Sequence, residues 1–295
     1  MTARWTWLLV LLAFAVTGCH EVERAVLSSP AASPISQPTV SPTASPSPPT
    51  RSATATLTPL PATPAPPPPP VPPTPPEEPV TLPPGGTPAL VVRKGDQSRK
   101  IVAFSFDAGA DVGFASGILD TLAANGIRAS FGMTGRWAER NPELLQRIVR
   151  DGHHLINHTY DHASMTGAAT MTAPLTREQR WEELDRTEEI VQQLTGATTK
   201  PYFRPPYGAY DDSVNEDVGA RGYAYNILWS VDSRGWMGWS TGAIIQRCLE
   251  QAEPGAIYVF HVGSQSQDGP ALQAIIDGLR AEGYFIGTVP DVLPR

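Results

Sequence analysis

Cysteine is scarce in this chain, which has two among 295 residues. Cys19 lies at the end of an N-terminal apolar run and is expected to become a lipid-modified N-terminus. Cys248 would then have no partner, which excludes a disulfide within the chain. Its spacing of four from Ile244 predicts the inner face of a helix, where a thiol is buried and unreactive.

Runs of basic residues are also missing. The formal net charge is −7, from 22 Lys and Arg against 29 Asp and Glu. A chain without a basic patch offers no footprint for phosphate backbones or for the surface of an anionic membrane. We therefore expect no nucleic-acid partner, and the sequence gives no indication of a protein partner.

A hydrophobic run long enough to span a bilayer is absent, since a spanning helix needs about 20 apolar residues. The run 8–16 follows Arg4 and is typical of an export signal. It ends in Val16-Thr17-Gly18-Cys19, which is similar to a bacterial lipobox. We expect a signal at 1–19 and a lipid on Cys19 that anchors the protein at the outer face of a bacterial cell membrane. The alternative is an ordinary secretory signal cut near Gly18, with Cys19 incidental and the protein secreted.

Proline is concentrated in one segment, with 23 of the 32 prolines lying between residues 28 and 88. Ser, Thr and Ala make up most of the remainder there, and the only charges are Arg51, Glu77 and Glu78. Such a composition buries too little apolar surface to offset its chain entropy. The sequence predicts a disordered linker over 20–88 and one folded domain over 89–295.

Short apolar runs alternate with helical patterns through the folded domain. Seven strands are predicted to begin near residues 101, 128, 154, 202, 223, 256 and 284. One helix is predicted to start at Pro142 with Asn141 as its N-cap, and another to cover 182–194 and end at Gly196. Residues 163–174 read as a loop insertion. This alternation predicts parallel strands with right-handed crossovers, and seven units favour a barrel of the α/β class.

Polar residues follow the ends of five predicted strands. They are Asp107, His158, Arg204, Asp232 and His261. Functional side chains of α/β barrels collect at the carboxyl ends of the strands, so these residues should meet at one rim. His162, four residues after His158, completes a pair of imidazoles that could share a divalent ion. One carboxylate added to them gives the open three-ligand site of a catalytic zinc.

The same residues include a base and an acid. Asp107 could take a proton from water, with Arg204 keeping it ionised and oriented. His261 could donate a proton to a leaving group, with Asp232 fixing its tautomer. Together they suit the hydrolysis of an amide or an ester.

This ordered set resembles the polysaccharide deacetylases of the NodB-homology type, carbohydrate esterase family 4, over residues 95–290. The five motifs read Ser105-Phe106-Asp107-Ala108-Gly109, His158-Thr159-Tyr160-Asp161-His162, Arg204-Pro205-Pro206-Tyr207-Gly208, Asp232-Ser233-Arg234-Gly235-Trp236 and Ile257-Tyr258-Val259-Phe260-His261. The resemblance implies a distorted (β/α)7 barrel. It also implies a hydrolase that acts on the amide bonds of N-acetylated amino sugars in peptidoglycan or a chitin-like polymer.

The resemblance also implies a role for each motif residue. Asp107 would be the base, and His158 and His162 the ligands of a divalent metal, expected to be zinc, with cobalt or nickel as alternatives. Arg204 would orient Asp107, and His261, partnered by Asp232, would be the acid. The Tyr207 N–H would stabilise the oxyanion, and Trp236 would wall the acetyl pocket. Trp229 and Trp239 lie nearby in the sequence, but we select Trp236 alone.

One position departs from the family pattern. Ala108 stands where the family has an Asp that is the third metal ligand. Asp111 could reach the metal instead, or the two histidines could hold it with water, or metal and activity could be lost. The retained base and acid favour an active enzyme. The alternatives are an O-acetyl esterase acting on a polysaccharide and a non-catalytic carbohydrate-binding relative.

The lipobox yields the first test. Mass spectrometry of the mature protein should find an N-terminal Cys19 carrying a diacylglyceryl group. A mature protein that begins with an unmodified residue would show that the export signal is of the ordinary secretory kind. A Cys19→Ser variant is the control, because it should lose the lipid mass while keeping the folded domain.

Overall fold

The computed structural model describes residues 88–294, which hold nine strands and eight α-helices. The signal 1–19, with Cys19, and all of the linker except Pro88 lie outside the described residues. None of the helices within 88–294 has both the length and the apolarity to cross a membrane. The elements, in chain order, are β1 Leu90–Val92, β2 Ile101–Ala108, α1 Ala115–Ala124, β3 Ser130–Met133, α2 Gly135–Arg140, α3 Pro142–Arg150, β4 His154–Asn157, α4 Arg177–Thr195, β5 Tyr202–Phe203, α5 Asp212–Ala220, β6 Tyr225–Ile227, β7 Val231–Asp232, α6 Thr241–Glu250, β8 Ile257–His261, α7 Asp268–Ala281, β9 Phe285–Gly287 and α8 Val289–Val292.

All nine strands belong to one parallel sheet. Its order is β1-β6-β5-β4-β3-β2-β8-β7, and β9 pairs with the first residues of β2. No ladder joins β1 to β7 in the part of the chain that the structure describes, so the sheet is a curled half-barrel with an open seam. The predicted α/β class and distorted (β/α)7 barrel are confirmed, and each of the seven predicted strands begins within two residues of its expected position.

Two strands, β1 and β7, were not predicted. They have three and two residues, which is too short for a recognisable period. The strand expected to run from near Tyr223 to Asp232 is interrupted between β6 and β7. There the chain changes partners: the Leu228 N–H donates to Val92 beside β6, and the Ser230 N–H donates to Ile257 of β8. The seam of the half-barrel therefore lies at this break.

The central strand β2 separates two environments. Val102, Phe104 and Phe106 pack in the core between the sheet and the helices. Alternation along a strand sends the next residues to the opposite, concave face. Ala103 packs there, and Ser105 and Asp107 follow it towards the carboxyl edge. A polar pair is thus placed on the inner face by strand geometry alone.

The helix boundaries largely follow the predicted signals. α4 ends at Gly196, whose φ of 71° is the left-handed value that glycine adopts easily. α3 begins at Pro142 as expected, but Asn141 does not cap it through its side chain. The Asn141 amide instead donates to the carbonyl of Trp137 at the end of α2, because α2 and α3 are nearly continuous. Residues 163–174 form no helix or strand, which confirms the predicted loop.

The aromatic core provides a stability test. Phe104 is fully buried, and its ring lies 5.1 Å from Phe260 and 5.5 Å from Tyr258 between ring centroids. Phe104→Ala should lower the free energy of unfolding by about 3–5 kcal/mol through lost burial and an unfilled cavity. Urea unfolding followed by tryptophan fluorescence measures this. Phe285→Ala, on the exposed side of β9, is the control and should change stability by less than about 0.5 kcal/mol.

Candidate active site

A cleft of about 540 Å³ opens at the carboxyl edge of the sheet. Its size is typical of small-molecule sites. The structure brings eight of the predicted residues to its wall, while Arg204 lies fully buried behind them. The eight are Asp107, Asp111, His158, His162, Tyr207, Asp232, Trp236 and His261. The rim expected from the strand ends is therefore present.

Arg204 is the centre of the hydrogen bonding behind the cleft. Its Nη1 donates to Asp107 Oδ1 at 2.6 Å, and its Nη2 donates to Ser105 Oγ at 2.8 Å. Nε donates to the carbonyl of Ile227 at 3.0 Å, and Nη2 also reaches that of Leu228 at 3.4 Å. A buried charge without such partners would be strongly destabilising. The guanidinium therefore fixes the carboxyl-terminal end of β2 relative to the end of β6.

Asp107 is held in its ionised form. Burial opposes its ionisation, but the Arg204 guanidinium, which donates a hydrogen bond to it, lowers its pKa below the usual aspartate value. Gly132, its register partner on β3, makes room for the carboxylate. A Cβ at Gly132 would lie 2.6 Å from Asp107 Oδ1, so any side chain there would push the carboxylate off Arg204.

His158 presents one free ring nitrogen to the same space. Its Nδ1 lies 2.9 Å from the carbonyl of Arg204, an acceptor, so Nδ1 carries the proton. Nε2 then has its lone pair free and lies 3.7 Å from Asp107 Oδ2. Burial lowers the pKa of His158, which keeps the ring neutral. A neutral, oriented imidazole of this kind is the usual protein ligand of zinc.

The second imidazole, His162, is brought beside the first by a tight turn. Thr159 and His162 have φ values of 63° and 67°, so the spacing of four arises from left-handed turns and not from a helix. Glu183 on α4 holds the turn, because its carboxylate accepts the N–H groups of Tyr160 and Asp161. The two rings have centroids 4.9 Å apart, and burial with the neighbouring His158 lowers the pKa of His162 to about 4.

Asp111, predicted as a possible third metal ligand, is engaged by the loop that follows β8. Its carboxylate accepts hydrogen bonds from the N–H of Ser264 at 2.8 Å and the hydroxyl of Ser264 at 2.6 Å. These bonds join the loops that follow β2 and β8. Among residues 88–294, no three His, Cys, Asp or Glu side chains are grouped so that they could hold a metal ion. Two neutral imidazoles fit a divalent ion, but no third protein ligand accompanies them in this part of the chain.

His261 has a different carboxylate neighbour from the one predicted. Asp268, the first residue of α7, has its Oδ2 3.9 Å from His261 Nδ1 and accepts the His261 N–H at 2.8 Å. Asp232 makes no hydrogen bond or ion pair with His261 in the described part of the chain. Burial raises the pKa of Asp268, and the His261 N–H and the Ser233 hydroxyl partly offset this effect. The predicted pairing with Asp232 is thus corrected.

Asp232 instead organises the turn that carries Trp236. Its Oδ1 accepts the Arg234 N–H at 2.9 Å and the Trp236 indole N–H at 3.3 Å. Its carbonyl accepts Arg247 Nε at 2.6 Å. Because β7 ends at Asp232, the carboxylate follows the chain into this turn and not across to β8. The exposed face of Trp236 then forms one wall of the cleft.

The opposite wall comes from the turn after β5. Tyr207 has a φ of 62°, and its N–H takes part in neither hydrogen bond of the turn, which Gly208 and Ala209 donate. Trp229, which we did not select from the sequence, also lines the cleft. A Cβ at Gly208 would approach the Trp229 ring to 2.9 Å, so glycine is needed there for the indole to pack.

Several residues of the site were missed because their signals are not local. Gly132 and Ser105 act through partners on neighbouring strands. Asp268 reads in the sequence as an ordinary acid in the first turn of a helix. The arrangement as a whole combines an ionised carboxylate, two neutral imidazoles and a third imidazole with its own carboxylate, which is suited to hydrolysis through a tetrahedral intermediate.

The Asp107–Arg204 pair predicts a pH-dependent loss of stability. Asp107→Asn leaves Arg204 without its counter-charge and should lower the free energy of unfolding by about 3–5 kcal/mol at pH 7. Because the folded-state pKa of Asp107 is lowered, its contribution is present above the unfolded value of about 4 and is lost as the pH falls through the folded value. The difference between variant and parent should therefore shrink at low pH in urea titrations.

A matched surface pair is the control for this measurement. Asp161 lies 3.4 Å from Arg136 in an exposed ion pair, and Asp161→Asn should cost less than about 1 kcal/mol at any pH. Equal losses of stability from the two substitutions at pH 7 would contradict the larger contribution expected of the buried pair.

Comparison with known proteins points to one family. A sequence profile described as "Polysaccharide deacetylase" matches residues 94–226. The peptidoglycan-N-acetylmuramic acid deacetylase PdaA of Bacillus subtilis is 30% identical, covering 68% of this chain and 73% of its own. A peptidoglycan-N-acetylglucosamine deacetylase of Bacillus cereus is 30% identical, covering 67% and 70%.

Solved structures agree with these relatives. A carbohydrate esterase family 4 pseudoenzyme from Bacillus anthracis superposes with a TM-score of 0.63 at 25% identity, covering 70% of each chain. A mutant of that protein with restored enzymatic activity gives a TM-score of 0.64 at 26% identity, covering 70% of this chain and 72% of its own. With the motif residues on one rim of the half-barrel and relatives matched over two thirds of both chains, this protein belongs to the polysaccharide deacetylase family.

Proposed function

We propose that this protein removes N-acetyl groups from the amino sugars of a cell-wall or extracellular polysaccharide, such as peptidoglycan or a chitin-like polymer. The observation that carries the proposal is the ionised Asp107, held by a buried Arg204 beside the neutral imidazole of His158, with the ring of His162 next to it. A non-catalytic protein that only bound sugar would not need a buried guanidinium to keep Asp107 ionised. The peptidoglycan substrates named for the B. subtilis and B. cereus relatives support the choice of polymer.

His158 and His162 are the residues that would hold a divalent metal, with zinc expected and cobalt or nickel as alternatives. A bound ion would supply Lewis acidity to the acetyl carbonyl and lower the pKa of water. Catalytic zinc sites usually have three protein ligands, and this pair supplies two. We therefore expect the metal to be exchangeable and easily removed by a chelator.

Two residues on adjacent strands transfer the protons of the reaction. Asp107 accepts a proton from the attacking water while the water oxygen bonds to the acetyl carbon. The Tyr207 N–H, not engaged in its own turn, donates to the oxyanion. The C–N bond then breaks, acetate departs, and His261 gives its proton to the sugar amine. β2 and β8 pair Asp107 with His261 in register, so base and acid stand side by side.

The expected setting is outside the cytoplasm. A lipid on Cys19 and the Pro-rich linker 20–88 would tether the domain to the cell membrane while letting it reach nearby polymer. The cleft walls include the indole rings of Trp229 and Trp236, and half of Trp236 is exposed. Aromatic faces of this kind suit the apolar faces of sugar rings and the methyl of an acetyl group.

A second candidate is a non-catalytic carbohydrate-binding protein on the same fold. Ala108 favours it, because the side chain has no ligating atom and is fully buried at the end of β2. The structural likeness to a pseudoenzyme points the same way. An O-acetyl esterase, the third possibility, would use the same residues on an easier leaving group.

Acetate release separates the three functions. The full chain is stripped with a chelator and given zinc, cobalt or nickel, then incubated with N-acetylglucosamine oligomers, purified peptidoglycan and O-acetylated xylan. Release from the first two, restored by metal, is the expected result. Asp107→Asn should reduce the rate by about 10²–10⁴, the usual contribution of a general base.

The control substitutions lie in the turn 158–162, which carries both histidines. His162→Gln should abolish metal dependence and metal retention together, whereas Asp161→Asn, between the two histidines, should leave both intact. Oligomer binding without acetate release at any metal concentration would establish the binding protein instead. Release from acetylated xylan alone would establish the esterase.

A further inference from the structure

We propose that Asp268 is the carboxylate that positions His261 for proton donation, and that Gly235 provides the space in which it does so. The inference rests on the proposed function for the role of His261 as acid. It assigns the partner of His261 to α7, at a position outside all five motifs. Asp268 touches neither substrate nor reacting atoms and is therefore a positioning residue.

The Asp268 carboxylate is fixed beside His261 by bonds on one of its oxygens. The side chain is completely buried. Oδ2 accepts the backbone N–H of His261 at 2.8 Å and the hydroxyl of Ser233 at 3.0 Å, and it lies 3.9 Å from His261 Nδ1. The first residue of a helix is also where the helix dipole favours a negative charge. Its orientation towards the imidazole is thus set by the backbone of His261 itself.

Two buried atoms of this pair have no hydrogen-bond partner among residues 88–294. They are His261 Nδ1 and Asp268 Oδ1. Native structures rarely leave buried polar atoms unpaired, and such atoms call for an explanation. A small rotation of the imidazole would bring Nδ1–H within hydrogen-bond distance of the carboxylate, and catalytic hydrogen bonds are often long before substrate binds. Nδ1–H would then be fixed, leaving Nε2 to deliver the proton in the cleft.

Gly235 is the residue that lets the carboxylate occupy this place. A Cβ at position 235 would overlap Asp268 Oδ1 and would lie 2.5 Å from Ser266 Oγ. Asp268 therefore fills the volume that a side chain of residue 235 would take. Any residue other than glycine at 235 would push the carboxylate away from His261.

Histidine NMR tests the pairing without requiring turnover. The full chain is labelled with ¹⁵N-histidine, and His261 is assigned by its loss in His261→Gln. In the parent protein, neutral His261 should carry its proton on Nδ1. Asp268→Asn keeps the shape but removes the charge, and should move the population towards the Nε2–H form. Asp232→Asn, the matched control, should leave the tautomer population of His261 unchanged.

Leaving-group dependence tests the consequence for catalysis. Asp268→Asn leaves His261 in place but no longer oriented. It should lower kcat on N-acetylglucosamine oligomers by about 10- to 100-fold with KM unchanged, which is less than the loss expected when the acid itself is removed. Hydrolysis of 4-nitrophenyl acetate needs no proton on its leaving group and should fall less than about threefold. Asp268→Asn combined with His261→Gln should be no slower than His261→Gln alone, because the two residues act as one unit.

Specific results would overturn the assignment. Equal losses on amide and ester, with a lowered melting temperature, would make Asp268 only a structural residue. Unchanged His261 shifts in Asp268→Asn, or an amide-selective loss in Asp232→Asn instead, would also overturn it. A parent protein that releases no acetate from any substrate would refute the proposed function, while the NMR shifts would still decide the pairing.

Gly235→Ala should reproduce the shift change of Asp268→Asn.

Discussion

The architecture of the cleft depends on burying the positive charge of Arg204. A guanidinium removed from water needs a counter-charge and an acceptor for each of its N–H directions. Here Asp107 provides the charge, and Ser105 and two carbonyls at the end of β6 provide the acceptors. The same arginine offers its own carbonyl to His158, which sets the tautomer of that ring. One residue thus orders Asp107, the proposed base, and one metal-ligand candidate together.

This arrangement has a chemical consequence. A carboxylate whose pKa is held below the usual aspartate value is ionised at neutral pH, but it is a weak proton acceptor. Such a base is effective only if the attacking water is made more acidic. The two imidazoles stand where a metal could do this, and their lowered pKa values favour the neutral form that a metal ligand needs. The low basicity of Asp107 would therefore make the proposed hydrolysis depend on a metal.

Local patterns in the sequence identify the parts of the site that are themselves local. Asp107, His158 and His261 end apolar runs, and parallel topology brings such ends together without knowledge of any contact. The pairing of His261 could not be predicted in this way, since Asp268 reaches it only because Gly235 leaves a space on another turn. The Asp111–Ser264 link is equally non-local. β1 and β7 were missed because so few residues show no periodicity, yet their positions determine where the sheet stays open.

The open form of the cleft has a consequence for how a polymer would be deacetylated. The loops 109–114 and 262–267 beside the cleft are short, and Tyr207 and Trp236 at its mouth are half exposed. A glycan strand could lie across such a cleft with sugar units continuing on both sides. An interior unit is then as accessible as a terminal one, and free chain ends are not required. The products of the proposed deacetylation would be strands with amines scattered along their length, and so with a changed charge density, rather than strands deacetylated only at one end.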